Sequence, residues 1–208
     1  AGCYQSSSGF FGPAASNLSL ATDLPASVPE ITGVGGTTLA EGSGTYWKST
    51  NDSTTKASAL SYIPETAWND SATGDPAASG GGVSQFFAKP SWQAGTGVPS
   101  DGMRDVPDIS FPASPQHDGY MVYTTSGRTS GWYVFGGTSA GAPAFAGVLA
   151  MLNQYLAANG LQSSAGLGNI NSHLYSLAST APAVFHDIVA GDNIVSASTC
   201  TTPRCTGS

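Results

Sequence analysis

"YVFGGTSAGAPAFAGVLAMLNQYL" occupies residues 133–156. An apolar run climbs into Gly-Gly-Thr-Ser, and an alanine-rich helical pattern begins at once. Phe145, Leu149, Leu152 and Leu156 recur at three- and four-residue steps and Gly160 supplies a stop signal, so the spacing predicts a helix over residues 138–159. Hydrophobic residues surround its first half, which is therefore expected to be buried. The serine at its start has two readings. Thr138 or Ser139 is an N-cap, the position where Ser and Thr are commonest. Alternatively Ser139 is a nucleophile, its hydroxyl set beside the unpaired N–H groups and positive dipole of a helix N-terminus, where an oxyanion is stabilised.

Working outward, "GYMVYTT" (119–125) and "GWYVFGG" (131–137) flank the loop "SGRTS" and alternate as an antiparallel hairpin would. "VPDISFPAS" (106–114) reads as a short buried strand bounded by prolines, with Asp108 a structural acid bonded to backbone. "ITGVGGTTL" (31–39) starts as a strand whose glycine pair suits close backbone approach. "YIPETAWND" (62–70) is a short element among polar loops, and "GNINSHLYSLAS" (168–179) a second, shorter helix. In "ASGGGVSQFF" (78–87), Gly80, Gly81 and Gly82 form either a flexible turn or a backbone ribbon that a ligand can approach closely. Trp68, Trp92 and Trp132 are expected to fill the core or a pocket wall. Strands mixed with helices give an α/β expectation, and 208 residues suit a single domain.

Charged residues make up 9% of the chain and the formal net charge is −7. Six Lys and Arg residues cannot form a basic stripe, so nucleic-acid and anionic-membrane binding are disfavoured. A Lys-poor, acidic chain gains little positive charge as pH falls, which suits an acid-tolerant secreted protein. No run of eighteen apolar residues is present. Cys200 and Cys205 in "CTTPRC" are close enough for a small disulfide loop, leaving Cys3 over. Asn17, Asn51 and Asn69 head Asn-x-Ser sequons.

A base for Ser139 is the next requirement. "GTSAG" fits the G-x-S-x-G elbow of α/β-hydrolases, but that order needs an acid and then a histidine downstream. His173 and His186 precede Asp187 and Asp192, so the order fails. A subtilisin-type arrangement wants an upstream histidine, and His117 in "PQHDGY" reads as a surface residue.

The run "GGTSAGAPAFAGVLAMLN" resembles the nucleophile segment of the sedolisins, serine-carboxyl peptidases of subtilisin-like fold. "LPASVPEITGVGGTTL", "ETAWND", "SGGGVSQFFAKPSWQ", "RDVPDISFPAS" and "GLGNINSHLYSLA" resemble successive family blocks in family order, and "FHDIVAGDN" (185–193) resembles the segment of the family's calcium site. The resemblance implies an α/β, subtilisin-like domain with a mainly parallel sheet flanked by helices. It also implies an acid-acting endopeptidase with Ser139 as nucleophile, activated by a Glu oriented by an Asp. A second Asp, protonated, donates to the oxyanion. The family's Glu-x-x-x-Asp pair and "SGDSG"-like block do not occur in this sequence. Asp187 and the carbonyl of Ile188 match half of the Ca2+ site, which needs six to eight oxygens. Residues 1–208 are thus expected to be an incomplete catalytic domain, lacking its N-terminal half and the end of its calcium loop. On this reading the chain alone is inactive. The substrate would be a peptide or protein, approached by Gly80, Gly81 and Gly82. The protein is expected to be secreted and monomeric. Two rival readings are a non-catalytic module derived from a peptidase and an esterase using His173 or His186.

Overall fold

The computed structural model describes residues 2–3, 20–71, 77–164 and 166–194. In chain order the elements are β1 (Gly2–Cys3), β2 (Leu20–Ala21), β3 (Val34–Leu39), β4 (Glu65–Ala67), β5 (Gly82–Ala88) and β6 (Met103–Val106). There follow β7 (Ile109–Pro112), β8 (Tyr120–Ser126), β9 (Thr129–Phe135), α1 (Thr138–Ala158), α2 (Asn171–Thr180) and a 3-10 turn at Pro182–Val184.

β3 organises the centre. It runs parallel to β7, with Val34 opposite Ile109 and Thr37 opposite Pro112, and β4 joins its other edge antiparallel. The long helix α1 lies on β3 and β7, the arrangement of strand pair and covering helix expected of an α/β domain. Small residues mark the places where these layers meet. A Cβ on Gly36 would lie 2.7 Å from Ala113 and 2.9 Å from Trp68, and one on Gly141 of α1 would lie 3.0 Å from Phe111. That close approach seats Phe145 on Phe111, ring centroids 5.6 Å apart. Phe145 is buried, and burying such a side chain contributes about 1.5–3 kcal/mol, which makes it the principal anchor of the helix on the sheet.

The predicted helix boundaries hold: α1 ends at Ala158, and Gly160 takes a left-handed φ of 65° just beyond. The hairpin also forms as predicted, with Tyr120 opposite Phe135 and Ser126 opposite Thr129. β6 is a strand that hydropathy does not announce, because "MRDV" carries two charges. Arg104 is nonetheless fully buried, its guanidinium 2.5 Å from Asp108 and 5.2 Å from the Trp92 ring. Asp108 also accepts the Gly33 N–H at 2.7 Å and the Tyr175 hydroxyl at 3.1 Å, so it is the backbone-bonded acid predicted, with more partners. The buried Asn171 ties α2 to the same region by accepting from Thr32 and donating to Ile31.

Two burial expectations fail. Trp132 is 66% exposed and meets Tyr123 edge-on, because β8 and β9 pair only with each other among the described residues. In the first half of α1, Gly141 and Phe145 are buried, whereas Ala142, Pro143 and Ala144 are exposed. One side of the helix meets β3 and β7. The opposite side, continuing through Val148, Met151, Leu152 and Tyr155, is exposed. The Cys200–Cys205 bridge and the Asn17 sequon lie outside the described residues.

Candidate active site

The chain enters α1 through two glycines that no other residue could replace without strain. A Cβ on Gly136 would sit 2.5 Å from the Pro115 nitrogen and 2.6 Å from the Ala113 carbonyl oxygen. Gly137 adopts φ 84°, ψ 163°, a region essentially restricted to glycine, and donates its N–H to the Ala113 carbonyl. Gly137 is also the N-cap, without any side-chain capping bond. The cap reading of Thr138 or Ser139 is therefore overturned: both residues lie inside the first turn, because glycine backbone has taken the cap position. Ser139 is exposed, and its hydroxyl has no hydrogen-bond partner among the described residues. No acidic side chain occupies that turn, so the positive end of the helix dipole is left uncompensated by its own helix.

The glycine ribbon lies nearby through a shared neighbour. Gly36 donates its N–H to Ser79 Oγ at 3.0 Å, and the Thr138 methyl approaches to 3.4 Å of the position a Gly36 Cβ would take. β3 thus has Ser79, which precedes Gly80, Gly81 and Gly82, bonded at the same residue that Thr138 packs against. Gly80 is exposed with open space around it, while Gly81 faces the Val106 carbonyl and Gly82 opens β5 with φ 132°.

The predicted calcium segment runs alongside. Ala67 of β4 donates to the Ala190 carbonyl at 2.9 Å, and Asn193 Nδ2 donates to the Ser79 carbonyl at 2.7 Å. Asp187 is exposed and Ile188 half-buried. Their carboxylate and carbonyl are the oxygen donors calcium takes, but they amount to two of the six to eight it needs. Among the described residues Asp187 joins no group of three converging metal-ligating side chains. The other histidines are engaged or distant in chain terms: His186 stacks on Tyr62 with centroids 3.4 Å apart, and His173 is exposed on α2. Neither bonds Ser139.

In the sequence Asp70 stands five residues after Glu65, too far for a Glu-x-x-x-Asp pair, and no other role is evident, although "WND" places it two residues from a buried tryptophan. Its carboxylate accepts from Trp68 Nε1 at 2.7 Å and from Ser114 Oγ at 2.8 Å. Ser114 Oγ in turn accepts the N–H groups of Gln116 and His117. Asp70 thereby braces the turn on which Gly136 and Gly137 rest. At the turn's outer end His117 is exposed, as expected, but bonded to Glu41 at 2.7 Å. That bond holds the Glu41 carboxyl down to about 2 and pushes His117 up, while partial burial pushes Asp118 up.

Comparison with known proteins bears on this geometry. No family model matches the chain. Kumamolisin of Bacillus sp. (strain MN-32) is 38% identical over 177 residues, which are 82% of this chain and 26% of that protein. Sedolisin of Pseudomonas sp. (strain 101) is 38% identical over 172 residues, 81% of this chain and 24% of that one. Among solved structures, Pseudomonas sedolisin, described as a serine-carboxyl proteinase complexed with two molecules of pseudo-iodotyrostatin, superposes with a TM-score of 0.58 at 35% identity. That match covers 82% of this chain and 39% of the other. The chain belongs to the sedolisin family.

Membership fixes the architecture as subtilisin-like α/β, in agreement with the β3–β7 pair and its helix. The chain spans about a quarter of the length of the curated sedolisin relatives it matches. Among the described residues, no helix is long and apolar enough to cross a membrane.

Proposed function

We propose that Ser139 is the nucleophile of an acid-acting serine endopeptidase of sedolisin type. The observation that carries this reading is its placement: an exposed hydroxyl in the first turn of α1, entered through a cap built of glycine backbone. Ser139 Oγ attacks the scissile carbonyl carbon, and its proton passes to a carboxylate base. The carbonyl oxygen gains negative charge beside the free N–H groups of the helix start. Collapse then breaks the C–N bond, the proton moves to the leaving amine, and the acyl group stays on Ser139. Water adds to that ester and releases the acid, with the proton path reversed.

The resemblance assigns the base to a Glu oriented by an Asp, and the oxyanion donor to a further Asp, none of which is identified in this sequence. A carboxylate base operates near its own pKa, so the activity is acidic. The substrate is an extended peptide or protein segment; of the ribbon Gly80, Gly81 and Gly82, the main chain at Gly80 lies in open space where a substrate can hydrogen-bond it, while Gly81 and Gly82 adjoin Val106. Asp187 and the Ile188 carbonyl contribute two oxygens toward a calcium ion, the others coming from outside the described residues. Residues 1–208 belong to one catalytic domain of a secreted, monomeric protein, a location supported by the low charge and scarce lysine.

The test is Ser139→Ala in the full-length protein. Peptide hydrolysis in acid should fall by at least about a thousandfold, with the thermal midpoint unchanged. Retained hydrolysis would refute the assignment and favour a non-catalytic, peptidase-derived module.

A further inference from the structure

Three potential metal ligands converge from two segments. Glu41 follows β3, while His117 and Asp118 end the turn braced by Asp70 and Ser114. His117 Nε2 lies 2.7 Å from Glu41 Oε2 and 3.2 Å from Asp118 Oδ2, and the three ligand atoms all lie within 4.8 Å of one another. Neighbouring side chains ordinarily diverge. Here Asp118 takes a left-handed φ of 55°, and its carboxylate faces the ring of the residue before it.

We infer that Glu41, His117 and Asp118 form a binding site for a borderline divalent cation of the zinc type, separate from the nucleophile and from the calcium segment. The spacing supports this. Ligand atoms at about 2.0–2.1 Å from a tetrahedral zinc stand roughly 3.3 Å apart, and the two separations from His117, 2.7 and 3.2 Å, lie near that value, so a small opening of these pairs seats the ion. The donor chemistry selects the metal: one imidazole with two carboxylates suits zinc, cobalt or nickel, whereas calcium and magnesium take oxygen ligands. The charge is also suitable, since a dication balances two carboxylates around a neutral ring. The side chains of His117 and Asp118 are 49% and 37% exposed, which leaves an entry path and room for water as a fourth ligand. Occupied, the site would clamp the segment after β3 to the turn that carries Gly136 and Gly137. Among the described residues Asp70, which sits behind Ser114, also adds to the negative potential at His117.

The experiment is calorimetric titration of chelator-stripped full-length protein with Zn2+ alone at neutral pH, repeated with His117→Ala and Glu41→Gln. Both positions are in loops, and circular dichroism checks that each variant is folded. The expected result is one equivalent bound by the native protein, weakened at least about tenfold in each variant, with Ca2+ unable to displace it. Occupancy should also raise the thermal midpoint of the native protein and not that of His117→Ala. Absence of zinc binding in the native protein, or an affinity unchanged in either variant, would overturn the site.

Discussion

The N–H of Gly137 donates to the carbonyl of Ala113, tying the start of α1 to the residue that follows β7. Because the helix cap is this piece of glycine backbone, the geometry of Ser139 depends on conformations other residues resist. Gly137→Ala should cost about 1–3 kcal/mol in chemical denaturation and lower acid hydrolysis as well. Gly136→Ala should cost more, since its Cβ meets backbone at two points. A Gly137→Ala protein as stable as the native one would contradict the conformation described.

Arg104 and Asp108 are a second fixed pair, both side chains with no exposed area. Asp108→Ala leaves the guanidinium buried without its carboxylate and should destabilise by about 3–5 kcal/mol. Asp108→Asn keeps the shape and some hydrogen bonds, so it should fall between the two. Urea denaturation midpoints for the three proteins check that order.

Alkaline stability should depend on Tyr62. Burial, with the nearby Glu65 carboxylate adding to it, pushes the phenol up to about 12. Its folded pKa therefore exceeds the ordinary value near 10, and the folded state holds the proton longer than the unfolded one. The associated stability is complete below about pH 10 and is lost as pH rises toward 12. Thermal midpoints measured across that window should decline more steeply in the native protein than in Tyr62→Phe. Equal slopes would remove Tyr62 as the cause.

The outer face of α1 leads to a different expectation. Val148, Met151, Leu152 and Tyr155 form an exposed apolar stripe at helical spacing, and the hairpin that precedes α1 in the chain exposes Trp132 and Val134 as well. Residues 1–208 produced alone should self-associate, and light scattering should show Met151→Glu with Tyr155→Lys reducing that tendency. A monodisperse native chain at the same concentration would argue against it.

What could be read in advance follows from how local each determinant is. The helix α1 was legible because a three- and four-residue apolar repeat and Gly160 state it within the segment, and the hairpin because two alternating runs bracket a short polar loop. β6 was not, because a strand is recognised by apolar residues and this one buries an arginine whose partner lies four residues on in β7's approach. The cap at Gly137 was not legible for a similar reason. Ser and Thr preference is a local statistic, whereas Gly137 is set by its left-handed φ and by the bond its N–H makes to the Ala113 carbonyl, a residue distant in sequence. The family blocks were legible as motifs, because each is a contiguous run of residues. The convergence of Glu41 with His117 was not, since it joins residues 76 positions apart through the tertiary fold.

The Trp68–Asp70 bond has an optical consequence. Trp68 is 7% exposed with its indole N–H engaged, whereas Trp47 and Trp132 are 41% and 66% exposed. Emission that survives a soluble quencher should therefore come chiefly from Trp68 and half-buried Trp92. A shift in that component would signal that the brace Asp70 forms beneath Gly136 and Gly137 had loosened, without any substrate being added.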